Sequence, residues 1–234
     1  MRLPSEVPVM TLSGVILFPQ AMLPLYIYEP RYRKMLADSL ITHRMFAVAM
    51  QRPERTRETP VSVAGLGLIR AAVTGKDGTS HLILQGLARV ELTCPVRYRP
   101  YRVYAVRPLL TAQNSAVATQ ALAAKVLELV GERLDLGLEL PFKALSEPLS
   151  SAAAVADAPA DEPLATQAFR EVLKQLSRLD DPEQLVDLVS ATLLPEPSDR
   201  QLILETPRLD ERLRYLVRFL MSEISRQKKQ QQHE

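Results

Sequence analysis

At 234 residues, with 47% apolar and 24% charged side chains, the chain has room for one large or two modest domains and a sizeable core, which excludes a disulfide-stapled miniprotein. Its single cysteine, Cys94, permits neither an internal disulfide nor a cysteine-ligated metal site and points to a reducing compartment. The formal charge of +2 hides an asymmetry: residues 1–112 carry 15 Lys/Arg and 7 Asp/Glu (+8), and residues 113–234 carry 14 and 20 (−6), which argues for two domains with different surfaces.

Glu6 follows Arg2 closely, and the longest apolar stretch, Gly14 to Tyr28, is interrupted by Pro19 and Pro24. Neither a signal peptide nor a membrane span is expected, and the expected location is cytoplasmic. Six of the eight glycines then punctuate short runs rich in Val, Leu, Ile and Tyr. These runs predict strands over Val7–Leu12, Met22–Tyr28, Met45–Gln51, Val63–Thr74, Ser80–Glu91 and Val96–Leu110. Lys76-Asp77-Gly78 supplies the Asp-Gly pair that accepts positive φ, so a hairpin joins the fourth and fifth strands. Between the second and third, Pro30 suits a first helical position, and Tyr32, Met35, Leu36 and Leu40 recur on one face. Six short strands and a helix suggest a small closed barrel, because closure removes edges that would otherwise be exposed.

After Leu110 the apolar spacing becomes helical, with Leu122, Val126, Leu129 and Val130 on one stripe and Phe169, Val172, Leu173, Leu176 and Leu179 on another. Three later helices have readable starts: Asp181 with Pro182 and Gln184, Ser198 with Gln201, and Thr206 with Pro207. The last is expected to bury Leu209, Leu213, Leu216, Leu220 and Ile224 and to leave Arg212, Arg214, Arg218 and Glu223 in solvent. Residues 146–163 combine Pro148, Pro159 and Pro163 with an alanine-rich run and read as a flexible loop inside a helical bundle.

Chemistry-bearing constellations are sparse. His43, His81 and His233 have no ligand-spaced partners, so no metal site is expected. Gly75-Lys76 is followed by Asp77 rather than Ser or Thr, there is no Gly-x-Ser-x-Gly elbow, and Cys94 has no histidine beside it in sequence. No catalytic residue, cofactor or metal is therefore assigned, and the expectation is a protein that is not an enzyme.

Two segments stand out. From Val15 to Leu25 nearly every residue is apolar without a period of two. Leu23, Leu25 and Ile27 alternate like a barrel core, whereas Ile16, Leu17 and Phe18 either continue that core or form an exposed lip, as a surface-running connection would. Tyr28 is a further candidate for the same polypeptide-binding surface. The second segment, Arg97 to Arg107, interleaves cations with tyrosines. It is either a strand with one solvated face or a single-strand nucleic-acid platform using Arg97, Arg99, Tyr101 and Arg102.

The block Leu17-Phe18-Pro19, then Leu23-Pro24-Leu25-Tyr26-Ile27-Tyr28-Glu29-Pro30-Arg31-Tyr32, closely resembles the opening of the N-terminal substrate-binding domain of Lon proteases. Gly65 to Ile69, Gly86 to Val90, Tyr101 to Val106, Leu185 to Ser190 and Gln201 to Glu205 resemble later parts of that domain. Gln20 and Tyr28 depart from the Gly and Phe common in the family. The resemblance implies an α+β fold: a PUA-like six-stranded β-barrel with one helix over 1–112, then an α-helical bundle over 113–234. It implies recognition of unfolded or extended polypeptide, or of a protein partner, without membrane attachment. With no ATPase or Ser-Lys peptidase module following Glu234, the chain looks like a free-standing version of the domain. RNA binding by the basic barrel is the alternative reading.

Overall fold

The computed structural model describes residues 3–55, 58–112, 116–136 and 179–231. The chain divides into two compact units, Met1–Ala112 with Glu196–Arg208, and Gln113–Pro195 with Leu209–Glu234. The first holds β1 (Glu6–Leu12), β2 (Met22–Ile27), α1 (Pro30–Ile41), β3 (Met45–Met50), β4 (Val63–Thr74), β5 (Ser80–Arg97), β6 (Arg102–Pro108) and α4 (Pro197–Glu205). The second holds α2 (Ala116–Asp135), α3 (Pro182–Leu193) and α5 (Leu209–Gln231). Among the described residues these make an α+β fold of six strands and five helices.

The sheet runs in the order β2-β5-β4-β3-β1-β6, and β6 pairs again with β5. Only β1 and β3 are parallel, as α1 lies in the connection between them. β5 is the organising strand. One edge pairs with β4 from Ser80 to Glu91; the other pairs with β2 over Ser80–Gln85 and with β6 from Val90 to Arg97. It continues past the expected end at Glu91 because irregularities at Leu92/Cys94 and Pro95/Arg97 bend it onto β6, and the expected start of the sixth strand at Val96 moves to Arg102. The expected six-stranded closed barrel does not form: among the described residues β2 pairs with β5 alone and keeps a free edge.

The β4–β5 hairpin turns as its sequence demands, with Gly78 at φ 78° and its N–H donating to the Gly75 carbonyl. Tyr32, Met35 and Leu36 of α1 pack with Met10, Phe46 and Leu84. A second cluster gathers Val7, Val9, Ala47, Leu66 and Val90.

The segment between β1 and β2 corrects the sequence-based expectation of a lip. Ile16 and Leu17 are buried and Phe18 is 0% exposed. The connection passes against the sheet through space that glycines vacate: a Cβ on Gly65 would lie 1.9 Å from the Leu17 carbonyl oxygen, and one on Gly86 would lie 1.9 Å from that of Phe18. The Gln20 N–H donates to the Gly86 carbonyl and the Gly86 N–H to that of Ala21, so the loop's polar groups are satisfied where burial would otherwise be costly. Ile16, Leu17 and Phe18 therefore belong to the interior.

α4 returns to the first unit, differing from a single helical domain over 113–234. Gln201 Nε2 donates to the Val63 carbonyl at 3.0 Å, and Ile203 and Leu204 are buried. Its first helical residue is Pro197, and no side chain caps it, so the expected Ser198 box is absent. Thr206 ends this helix, with its hydroxyl donating to the Leu202 carbonyl, and α5 starts at Leu209.

In the second unit α2, α3 and α5 pack against one another. Asp181 caps α3 by accepting from the Glu183 N–H at 2.9 Å, with Pro182 behind it. The α5 stripe from Leu209 to Ile224 is buried as its spacing predicts. Arg212 is not in solvent: it is 0% exposed and ion-paired at 3.1 Å with both Asp187 and Glu183. Asp187 and Glu183 lie one turn apart on α3, so they present both carboxylates to one guanidinium. The expected 146–163 loop and the stripe from Phe169 to Leu176 lie outside the described residues.

Candidate functional site

β2, β5 and β4 present an outer face whose composition is unusual for solvent-facing sheet. Register places Tyr26, His81 and Val73 in one cross-strand row and Pro24, Ile83 and Ala71 in the next, with Met22 beside Gln85. The alternate residues Leu23, Leu25, Leu82 and Leu84 point into the core. Tyr26, Met22 and Ile83 are exposed, Tyr28 is 61% exposed and Val73 is 70% exposed. The Tyr26 ring lies 4.7 Å from that of His81 and 5.9 Å from that of Tyr28, so three rings form a continuous amphipathic strip along the free edge.

This face was legible in part. Tyr28, singled out from sequence as a candidate, is exposed just after β2. Met22, Tyr26, Ile83 and Val73 were missed, although the signal existed: Leu82-Ile83-Leu84 is apolar on both parities, and so is Met22 to Tyr28, which in strands places apolar groups on both faces.

The tyrosine-rich segment behaves differently from a base-stacking platform. Tyr101 is only 5% exposed; its hydroxyl donates to Asp38 at 2.8 Å, and Arg97 lies 4.8 Å over its ring. Burial and the Asp38 carboxylate push the Tyr101 phenol up, while hydrogen bonds from Lys34 and Tyr101 hold Asp38 low. A ring held this way has no free face for a base, so Tyr101 is corrected to a structural residue. Arg102 is half-buried and donates to the Glu58 backbone carbonyl, with its guanidinium 5.5 Å from the centre of the Tyr98 ring. Arg97 and Arg99 are exposed.

Around Arg102 opens a cleft of about 220 Å³ bordered by Arg31, Arg99, Tyr98, Pro100 and Tyr32. Glu58 sits in it, accepting from the Tyr32 hydroxyl at 2.6 Å and from Arg31, which also pairs with Glu29 at 2.7 Å. Burial alone would raise the Glu58 carboxyl, but the Tyr32 and Arg31 donors outweigh it and hold the group below the ordinary carboxylate range. Burial, and then Glu58, push the Tyr32 phenol up. Among the described residues no group of three or more His, Cys, Asp or Glu could hold a metal ion, and Cys94 is exposed.

The family model described as the ATP-dependent protease La (LON) substrate-binding domain matches residues 6–222. The chain belongs to the Lon substrate-binding domain family. The Lon protease of Roseiflexus castenholzii is 26% identical over 229 residues, covering 94% of this chain and 24% of that protein. Lon protease 1 of Herpetosiphon aurantiacus is 24% identical over 231 residues, covering 95% of this chain and 25% of the relative. The chain thus spans about a quarter of the length of the curated Lon proteases it matches.

Solved structures agree on the fold. The N-terminal domain of the Mycobacterium avium complex Lon protease superposes with a TM-score of 0.65 at 17% identity, covering 92% of this chain and 98% of that one. A Lon N-terminal domain protein from Xanthomonas campestris gives 0.57 at 19% identity, covering 92% and 99%. Among the described residues of this Lon-type domain, no helix is long and apolar enough to cross a membrane.

Proposed function

We propose that this chain is a polypeptide-recognition module that binds unfolded or extended protein segments on the outer face of β2, β5 and β4 and performs no chemistry of its own. The observation that carries the reading is the contiguous strip of Tyr28, Tyr26, Ile83 and Val73, exposed on a sheet whose other face is core. An apolar, aromatic-lined patch beside an unpaired strand edge suits an extended chain: apolar side chains are removed from water on the patch, and the edge offers backbone partners. Membership in a substrate-binding family supports the same reading. With it we infer an unfolded or extended polypeptide as partner, a cytoplasmic setting and a PUA-like first domain.

The double variant Tyr26→Ser/Ile83→Ser tests it. Both side chains are surface groups, so the melting temperature should stay within about 2 °C, while affinity for a reduced, alkylated and permanently unfolded polypeptide falls at least about tenfold. Unchanged affinity in a folded double variant overturns the assignment of this face.

A further inference from the structure

The cleft beside the N-terminus of α1 holds more positive charge than its own carboxylates balance. Arg31 is matched by Glu29 and Glu58. Arg102 makes no ion pair among the described residues; its donor goes to the uncharged Glu58 carbonyl. Arg99 has no hydrogen-bond or ion-pair partner among the described residues and lines the same cleft. Three guanidiniums, Arg31, Arg99 and Arg102, thus face two carboxylates, Glu29 and Glu58, and one positive charge is left unbalanced beside a space of about 220 Å³ whose remaining wall includes Tyr98 and Pro100. Such groups favour planar oxyanions that accept two parallel N–H bonds.

We propose that this cleft binds a carboxylate carried by an extended polypeptide, either an Asp or Glu side chain or a C-terminal carboxylate, on Arg99 and Arg102. The inference rests on the polypeptide-binding reading and deepens it by naming the substrate chemistry. Three features of the cleft point to this occupant. Glu58 shows that the cleft accommodates a carboxylate on phenol and guanidinium donors. The same Glu58 leaves room electrostatically for one more negative charge but opposes a dianion such as phosphate. The cleft is also continuous in sequence with the exposed strip, since Arg31 on its wall follows Tyr28 by three residues. A chain laid along β2 from Met22 to Tyr28 covers it with about seven residues at ~3.3 Å each, and the proposal places its next acidic group on the cleft. Acidic groups flanking an aromatic or aliphatic segment are therefore the preferred substrate pattern.

The test uses short glycine peptides, which have nothing to engage the apolar strip, so its outcome is separate from the fate of the sheet face. Backbone amide shifts are followed by NMR on the full chain with three probes: acetyl-Gly-Glu-Gly-amide, acetyl-Gly-Gln-Gly-amide and acetyl-Gly-Gly-Gly with a free C-terminus. The amides of Tyr98, Arg99 and Arg102 should move with the Glu peptide or the free C-terminus, and whichever moves them identifies the source of the carboxylate. The Gln peptide should leave them in place, and those of Tyr26 and Ile83 should stay still throughout. Arg99→Glu should abolish the response, and Arg99→Gln should weaken it at least about fivefold, each in a chain whose spectrum shows a folded protein. Equal shifts with the Gln peptide, shifts surviving in Arg99→Glu, or no shift with either carboxylate overturn the proposal. So does inorganic phosphate saturating these amides at concentrations where both carboxylate probes are silent.

Discussion

Phe18 and Tyr26 stand eight residues apart in one apolar run, yet structure assigns them opposite fates. Phe18 has no exposed surface and its carbonyl lies where a Gly86 Cβ would collide, whereas Tyr26 stands on the outer face beside His81. Phe18→Ser should therefore cost about 3–5 kcal/mol of folding stability, the range for large-to-small truncation in a core, read as a lowered denaturant midpoint. A midpoint shift equivalent to less than about 1 kcal/mol contradicts the buried placement. What hid this from the sequence is that burial of an irregular segment depends on the strand it crosses. The clue lay some fifty to seventy residues away, in Gly65 and Gly86, two positions where a side chain would occupy the loop's space. Arg212 eluded the sequence for a related reason: helical periodicity marks which face turns inward, but it does not show that two carboxylates of α3 stand ready to pair with an inward guanidinium.

Among the elements, β2 carries the most consequence. Its side-chain alternation and Pro30 at the start of α1 were legible, because both are local. Its position at the sheet edge was not, since that follows from β5 being long enough to serve both β2 and β6. The Ala21 carbonyl accepts from Gly86, so by alternation Met22, Pro24 and Tyr26 direct their backbone groups toward the free edge. Pro24 thus removes a donor from the middle of that edge, a recognised guard against unwanted strand pairing. Pro24→Val should restore the donor and produce concentration-dependent self-association by sedimentation velocity, with the parent chain unchanged under the same conditions. A monomeric Pro24→Val over the whole concentration range counts against this role for the proline.

At the scale of the whole molecule, the compositional shift near Leu110 coincides with the passage from strands to helices: six of the eight glycines lie before it, and 20 of the 27 acidic residues lie after it. The return of α4 is the part sequence did not disclose: a nine-residue helix carries no mark of which unit it joins. A fragment ending at Ala112 lacks the Gln201 donor to Val63 and the buried Ile203 and Leu204. Each of those two side chains stabilises by ~1.5–3 kcal/mol when buried, so the fragment should lose at least ~3 kcal/mol and exchange the Ala64 and Leu66 amides faster than the full chain. Equal protection in the two would show that α4 is dispensable. The discontinuity also sets a clock during synthesis. When Ala112 leaves the ribosome all six strands exist, but the piece that completes their unit lies about a hundred residues downstream, roughly 5–20 s later at ~5–20 residues per second. Through that interval the nascent sheet waits with the surface meant for α4 uncovered, so a protein proposed to recognise incompletely folded chains passes through such a state itself before it can act.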